Sequence, residues 1–111
     1  MDLLEWYPEI ISTVLRNLVK VSNQGVGGKL TDFFLTDDCR FVWMTVGWQG
    51  KSRVCGVVVC VWLRDGKVWI EADMTEDGVA EMLIEAGIAR EDVILGFDCE
   101  EGRPLGDRLI A

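Results

Sequence analysis

The feature that most restricts the fold of this chain is a two-residue turn between two strand-like stretches. The pair Asp65-Gly66 separates residues 54–64 from residues 67–73. An Asp-Gly pair in this position favours a two-residue β-hairpin, because both residues tolerate the positive φ angles that the turn requires. The register of that hairpin places Trp62 opposite Trp69, so we expect the two indole rings to meet across the strands. The first stretch is almost continuously apolar, which is typical of a central strand covered on both faces.

Further strand-like stretches lie before and after this hairpin. Residues 29–36 and 39–48 precede it, and together the four stretches predict an antiparallel meander. A short apolar segment near Val93–Leu95 predicts a final strand. The sheet is therefore expected to be antiparallel and to have four to five strands.

One helix is predicted before the meander in the sequence and a second helix after it. Apolar residues recur at three- and four-residue steps over residues 2–21, which indicates a helix that either kinks at Pro8 or begins there. A second helix is predicted over residues 75–86, with Thr75 as its N-cap. We therefore predict a single α+β domain over residues 1–111, in which a four- to five-stranded antiparallel meander packs with two helices.

The charge balance limits the partners that the chain can bind. It has 11 Lys+Arg residues against 19 Asp+Glu residues, a formal net charge of −8, and its basic residues are scattered. Proteins that hold DNA by themselves usually cluster Lys and Arg, so we expect no autonomous nucleic-acid binding. The longest unbroken apolar run has seven residues, whereas a membrane-spanning helix needs about 20. The acidic start lacks the basic region of a signal peptide, so we expect a cytoplasmic protein without membrane contact.

The chain contains no histidine, which removes the commonest general base and the Ser-His and Cys-His nucleophile pairs. Its four cysteines, Cys39, Cys55, Cys60 and Cys99, form no C-x-x-C pair. Cys55 and Cys60 have opposite parity on one predicted strand, so we expect them to face opposite sides of the sheet. Reduced thiols that act as small core residues are the simplest interpretation. We expect neither a metal site nor a cofactor.

Three tryptophans and one arginine allow two interpretations each. Trp48, Trp62 and Trp69 suit either a buried core or a partner-binding face, since Trp is enriched in both settings. Trp48 lies beside the loop 49–53, so we expect it to be the most exposed of the three. Arg103 could bridge to a carboxylate and fix the tail through a bidentate pair, or contact a DNA phosphate. The bridge is favoured, because the adjacent Glu100 and Glu101 argue against DNA contact.

A cluster of carboxylates at the start of the second predicted helix also has two interpretations. Glu71, Asp73 and Glu76 could hold Mg²⁺ for nuclease chemistry, because carboxylate oxygens are its usual ligands. Helix capping is the simpler interpretation, since the positive end of a helix favours carboxylates.

An ordered set of short motifs carries a resemblance to a known family. Along the chain these motifs are Val46-Gly47-Trp48, Gly66-Lys67-Val68-Trp69-Ile70, Asp73-x-Thr75-Glu76, Gly87-Ile88 and Asp92-Val93-Ile94-Leu95-Gly96-Phe97. With this set the sequence resembles the XisI family over nearly its whole length. Members of that family are cyanobacterial proteins named as excision controlling factors of the fdxN element, a DNA segment removed during heterocyst differentiation. The chain departs from the family pattern at Cys60, where members often have a histidine, and in the tail after Arg103.

The resemblance implies a role in site-specific DNA excision, alongside a recombinase and a XisH-like companion protein that is itself similar to endonucleases. Because a net charge of −8 repels a phosphate backbone, we expect a non-enzymatic accessory factor that acts through these protein partners. A homodimer is a further expectation, since it would cover a second apolar face of the sheet. The residues predicted to bind a partner are Trp48, Arg53, Trp69, Asp73, Glu76 and Arg103. Two alternatives stay open, an antitoxin-like inhibitor of a nuclease and a metal-dependent nuclease.

Overall fold

In the described part of the chain, six strands follow one another in a single sheet, and two helices pack against it. The computed structural model describes residues 3–24, 29–37, 39–97 and 101–105. The elements in chain order are helix α1 (Leu3–Asn23), strands β1 (Leu30–Thr36), β2 (Arg40–Gln49), β3 (Ser52–Arg64) and β4 (Lys67–Asp73), helix α2 (Val79–Glu85), a 3-10 turn (Arg90–Asp92), and strands β5 (Val93–Leu95) and β6 (Arg103–Pro104). The strand order in the sheet is β1-β2-β3-β4-β5-β6. The predicted α+β class is confirmed.

The hairpin that joins β3 to β4 forms as the sequence predicts. Asp65 and Gly66 have φ angles of 53° and 74°, which is the left-handed conformation that this turn requires. Trp62 is paired with Trp69 across the two strands. Strands β1 to β4 are antiparallel neighbours, which confirms the predicted meander.

A β-bulge in β3 reverses the alternation of its side chains. Val58 has no partner in β2, so the strand gains one residue at that point. Cys55 and Cys60 consequently lie opposite Val46 and Val42, two residues of equal parity on β2. The prediction that the two cysteines face opposite sides of the sheet is therefore wrong, because parity is lost across a bulge. Both cysteines are free thiols.

The final strands depart from the fully antiparallel sheet that the sequence predicts. Strand β5 pairs with β4 in parallel, with Val68 opposite Val93 and Ile70 opposite Leu95. The reason is the connection: α2 and the 3-10 turn carry the chain back, so β5 runs in the same direction as β4. Strand β6 then returns antiparallel to β5, with Pro104 opposite Ile94.

Both helices differ from their predicted bounds. Helix α1 continues through Pro8, so the proline lies inside the helix and does not begin it. Helix α2 is shorter than the predicted range 75–86, and its N-cap is Gly78 and not Thr75. The cause of the second difference is a hydrogen-bonded turn that precedes α2 and is described with the site below. No helix in the described part of the chain is long and apolar enough to cross a membrane.

The hydrophobic core lies between the helices and one face of the sheet. Helix α1 contributes a stripe at four-residue steps, Tyr7, Ile11, Leu15 and Val19, and α2 contributes Val79 and Leu83. The facing buried residues are Phe41, Trp43, Val59, Val61, Val68, Ile70, Ile88, Val93 and Leu105. Because both helices pack on this one face, the described residues cover β3 on one face only, whereas its apolar run predicts cover on both. Val57 is 42% exposed on the opposite face, which we call the outer face.

Side chains from α1 form hydrogen bonds with the edge strand β1. The Asn23 amide donates to the Asp32 carbonyl and accepts from the Asp32 N–H, both at 2.8 Å. The Asp32 carboxylate is buried, and it accepts hydrogen bonds from Ser22 Oγ at 2.5 Å and Trp43 Nε1 at 3.1 Å. A buried carboxylate with these partners is satisfied, so it belongs to the framework of the fold.

Candidate partner-binding face

Two tryptophans and two arginines form a cluster on the outer face of the sheet. The hairpin register places Trp62 beside Trp69, and the Arg64 guanidinium lies 4.4 Å and 4.0 Å from their ring centroids. Arg40 is paired with Trp62 across β2 and β3, and its guanidinium lies 4.3 Å from the same tryptophan ring. Contacts of this kind stabilise a cation over an aromatic ring by about 0.5–1 kcal/mol at exposed sites. We call these four residues the Trp–Arg cluster.

Two hydrogen-bond donors in the cluster lack an acceptor. Arg64 Nε and Trp69 Nε1 are buried, and neither donates a hydrogen bond to any described residue. The Asp65 carboxylate is 4.0 Å from Arg64 Nε, which is an ion pair without hydrogen-bond geometry. Trp43 shows the contrasting case, since its buried Nε1 donates to Asp32. The cluster can therefore donate hydrogen bonds to a bound group that has acceptor atoms.

A second contact between a tryptophan and an arginine lies at the other end of the same face. Trp48 is 50% exposed, which makes it the most exposed of the three candidate tryptophans, as predicted. The Arg53 guanidinium lies 5.5 Å from its ring centroid and donates to the Gly47 carbonyl at 3.4 Å. We call this the Trp48–Arg53 pair. Strand β3 connects it to the Trp–Arg cluster.

The carboxylate of Asp73 is engaged in the turn that precedes α2. Its Oδ1 accepts from the N–H and the hydroxyl of Thr75 at 2.9 Å and 2.5 Å, and its Oδ2 accepts from the Val79 N–H at 2.8 Å. The Thr75 hydroxyl in turn accepts from the Gly78 N–H at 3.1 Å. Asp73 thus binds the first N–H of the helix, which corrects the prediction that Thr75 is the N-cap. The structure supports the capping interpretation for this carboxylate.

The other predicted site residues do not come together with Asp73 into one site. Glu76 is exposed in the turn before α2. Arg103 lies in β6 opposite Leu95, and its side chain is outside the described part of the structure, so the predicted bridge to a carboxylate stays a prediction. Cys99 also lies outside the described residues. Within the described ranges, no three acidic or cysteine side chains are placed to hold a metal ion.

The comparisons with known proteins identify the family. The family model described as XisI protein matches residues 1–108. The chain belongs to the XisI family. Its structure is similar to the crystal structure of a XisI-like protein from Anabaena variabilis, with a TM-score of 0.78 and 28% identity over 97% of this chain and 94% of that one. It is also similar to the fdxN element excision controlling factor XisI from Anabaena variabilis, with a TM-score of 0.74 and 29% identity over 90% of this chain and 97% of that one. No curated protein matches the sequence.

Sequence reasoning on this XisI-family chain missed the two arginines of the Trp–Arg cluster. A signal for Arg64 was present, because it follows Trp62 by two residues on one strand and so shares its face. Arg40 could be placed only with the register between β2 and β3, which depends on the bulge at Val58. Of the residues predicted to bind a partner, Trp69 alone lies in the cluster.

A partly buried hydrogen-bond network supports the strand that carries Trp69 in this XisI-family protein. Tyr7 Oη donates to Asp92 Oδ2 at 2.6 Å and accepts from the Ala89 N–H at 3.3 Å. Lys67 Nζ donates to Asp92 Oδ1 at 3.0 Å. Burial by itself would raise the pKa of Asp92, but the hydrogen bonds from Tyr7 and Lys67 and the charge of Lys67 outweigh it, so its pKa is lowered. The network joins α1, β4 and the 3-10 turn.

Replacing Tyr7 with phenylalanine is expected to weaken this network measurably. We expect the free energy of unfolding to fall by about 1–2 kcal/mol at pH 7, since a hydrogen bond to a charged group is lost. A lowered pKa means that Asp92 stabilises the fold above its unfolded pKa, and that this contribution disappears as the pH falls through the folded pKa. Urea titrations at pH 7 and at acid pH should therefore show a smaller difference between the variant and the wild type in acid. An equal difference at both pH values would contradict the assignment.

Proposed function

We propose that this protein is a regulatory factor of site-specific DNA excision. The observation that carries the proposal is its likeness to the fdxN element excision controlling factor XisI, which extends over 90% of this chain at 29% identity. Membership of the XisI family over residues 1–108 supports the same function. The excised DNA would be an element of the fdxN type.

We further propose that the protein acts by contact with partner proteins and without catalysis or a cofactor. Its net charge of −8 disfavours a direct hold on a phosphate backbone. The outer face of the sheet supports the proposal, because it combines exposed apolar side chains with the Trp–Arg cluster. The partners that the family suggests are a XisH-like companion protein and a site-specific recombinase.

Of the three carboxylates considered for a nuclease site, Asp73 is better explained by the fold. All three hydrogen bonds to the Asp73 carboxylate come from the turn and the first residue of α2. A metal ion at this position would compete with these bonds, and the helix start would lose its cap. This arrangement supports an accessory factor over a metal-dependent nuclease.

The experiment that tests the proposed function is a reconstituted excision reaction. A plasmid that carries the borders of the element is incubated with the recombinase and the XisH-like companion, with and without this protein. We expect the yield of excised circle to change when the protein is present, and the protein to co-elute with the companion or the recombinase in size-exclusion chromatography. An unchanged yield together with no co-elution would refute the proposal.

Two further outcomes of the same reaction would replace the accessory role with the alternatives. Cleavage of the plasmid by this protein alone in Mg²⁺, lost in Glu71→Ala, would identify a nuclease. Suppression of cleavage by the companion, without any effect on the recombinase, would identify an antitoxin-like inhibitor.

A further inference from the structure

We propose that the outer face of the sheet binds an acidic segment of a partner protein, and that the Trp–Arg cluster holds a carboxylate of that segment. The inference deepens the proposed function and rests on it for the view that the chain acts through partner proteins. It adds the binding surface, the residues that recognise the ligand and the chemistry of the ligand.

The helices leave an apolar strip open on the outer face of the sheet. Between the Trp–Arg cluster and the Trp48–Arg53 pair, the outer face of β3 presents Cys55, Val57 and Cys60. Val57 is 42% exposed, and Leu35 of the edge strand β1 is 52% exposed. Cys55 is also exposed and adjoins Val57 on β3, and exposed apolar side chains on one face are typical of a surface that a partner covers.

The charges of the outer face complement those of an acidic segment. The charged side chains that β2 and β3 carry are all arginines, namely Arg40, Arg53 and Arg64, although the whole chain has a net charge of −8. The acidic neighbour on β4 is Glu71. Burial is the main cause of the raised pKa of the Cys60 thiol, and the charge of Glu71 raises it further. A second copy of the chain would bring arginines against arginines across such a face, whereas an acidic segment would meet opposite charge.

Two buried donors of the cluster have no acceptor among the described residues. A buried donor that makes no hydrogen bond destabilises the fold, so Arg64 Nε and Trp69 Nε1 both favour the arrival of an acceptor. A carboxylate accepts through two oxygens and donates nothing, and its bonds from arginine are charge-assisted. The side chain of Arg64 is 38% exposed, so its guanidinium is free to turn from the Trp69 ring and admit the oxygens.

The same cluster is a poor site for single-stranded nucleic acid. Binding of that kind depends on bases that stack on open aromatic rings. The rings of Trp62 and Trp69 are already in contact with the guanidinium groups of Arg40 and Arg64. The net charge of −8 would also repel successive phosphates, whereas a short acidic segment meets only the local arginines.

The test is a titration of the full chain with a blocked tetraglutamate peptide, followed by the indole N–H resonances in two-dimensional NMR. We expect the Trp69 resonance to move downfield and saturate, because its Nε1–H gains an acceptor. The Trp43 resonance serves as an internal control and should stay in place, since its Nε1 already donates to Asp32. A tetraglutamine peptide of the same length should move neither resonance.

Variants separate the proposed contact from general charge effects. Arg64→Gln is expected to weaken tetraglutamate binding about tenfold, the loss expected for one hydrogen bond to a charged group. Arg90→Gln makes the same change of charge at an exposed arginine that pairs with Glu81, and it should leave the binding constant unchanged. Trp69→Phe keeps a six-membered aromatic ring but removes the pyrrole ring with its Nε1–H donor, and we expect it to weaken binding. A circular dichroism spectrum like that of the wild type would show that this weaker binding is not unfolding.

Several results would overturn the inference. An immobile Trp69 resonance, or equal weakening by Arg64→Gln and Arg90→Gln, would mean that no carboxylate binds at the cluster. Stronger binding of a hexathymidine oligonucleotide than of tetraglutamate would identify a nucleic-acid face. A Trp69 shift that depends on protein concentration, with a dimer in light scattering, would identify a second copy as the occupant. Each result leaves the excision reaction untouched, so failure here is distinct from failure of the proposed function.

Discussion

Replacing Gly47 with alanine is expected to lower the free energy of unfolding by about 3 kcal/mol, the upper range for a side chain forced into a packed site. A Cβ atom on Gly47 would overlap the carbonyl oxygen of Lys29 and lie 2.9 Å from the Cα atom of Leu30. Both obstacles are backbone atoms, so relief requires β1 to move away from β2. The Lys29 carbonyl also accepts a hydrogen bond from the Trp48 N–H, which that movement would break.

The sheet provides a matched control for this substitution. Gly56 lies in β3 with no atom within 4 Å of an added Cβ, so alanine has room there. We expect Gly56→Ala to change the free energy of unfolding by less than about 1 kcal/mol, with stabilisation favoured because the unfolded chain loses freedom. Urea denaturation of both variants measures the contrast. Similar losses in the two variants would show that close approach of β1 does not explain Gly47.

Replacing Asp73 with alanine is the second change with a large expected effect. The carboxylate accepts three hydrogen bonds in the turn that leads into α2, and their loss is expected to cost about 3 kcal/mol. We expect the loss to be centred on α2. Relative to the wild type, amide hydrogen exchange in the variant should accelerate more over Val79–Glu85 than over β2. Urea denaturation and hydrogen exchange measure the two effects.

A neighbouring carboxylate distinguishes capping from a role in binding. Asp77 is exposed in the same turn, and Asp77→Ala should change the free energy of unfolding by less than about 0.5 kcal/mol. In the excision reaction, Asp73→Ala protein that remains folded should act like the wild type if the carboxylate only caps the helix. If a fully folded Asp73→Ala variant no longer changed the yield of excision, Asp73 would be a partner-binding residue as first predicted.

The parts of the fold that could be predicted are those fixed by local chemistry. The Asp65-Gly66 turn determines a short hairpin, and with it the pairing of Trp62 with Trp69. The bulge at Val58 has no comparable signal, because all neighbouring residues are apolar and either register buries valines. The parallel pairing of β5 with β4 likewise depends on where α2 packs, which no short sequence window contains.

The candidate site was predictable only in part for a related reason. Carboxylates and Thr75 at a helix start all suit capping, and the choice between Asp73 and Thr75 depends on the path of the turn. The tryptophans could be selected from composition and position. The two arginines stacked on them, Arg40 and Arg64, were missed, because the full set of contacts requires the face and register of three strands together.

The two margins of the sheet also explain why the chain need not polymerise. At the β1 margin the Asn23 amide occupies the N–H and the carbonyl of Asp32, which an incoming strand would otherwise pair with. At the opposite margin β6 has only two residues, and one of them, Pro104, has no N–H to donate. Sheet edges with unpaired N–H and carbonyl groups are the usual start of fibre-like association. With the groups of Asp32 occupied at one margin and a two-residue strand containing proline at the other, the sheet is less open to strand-to-strand growth.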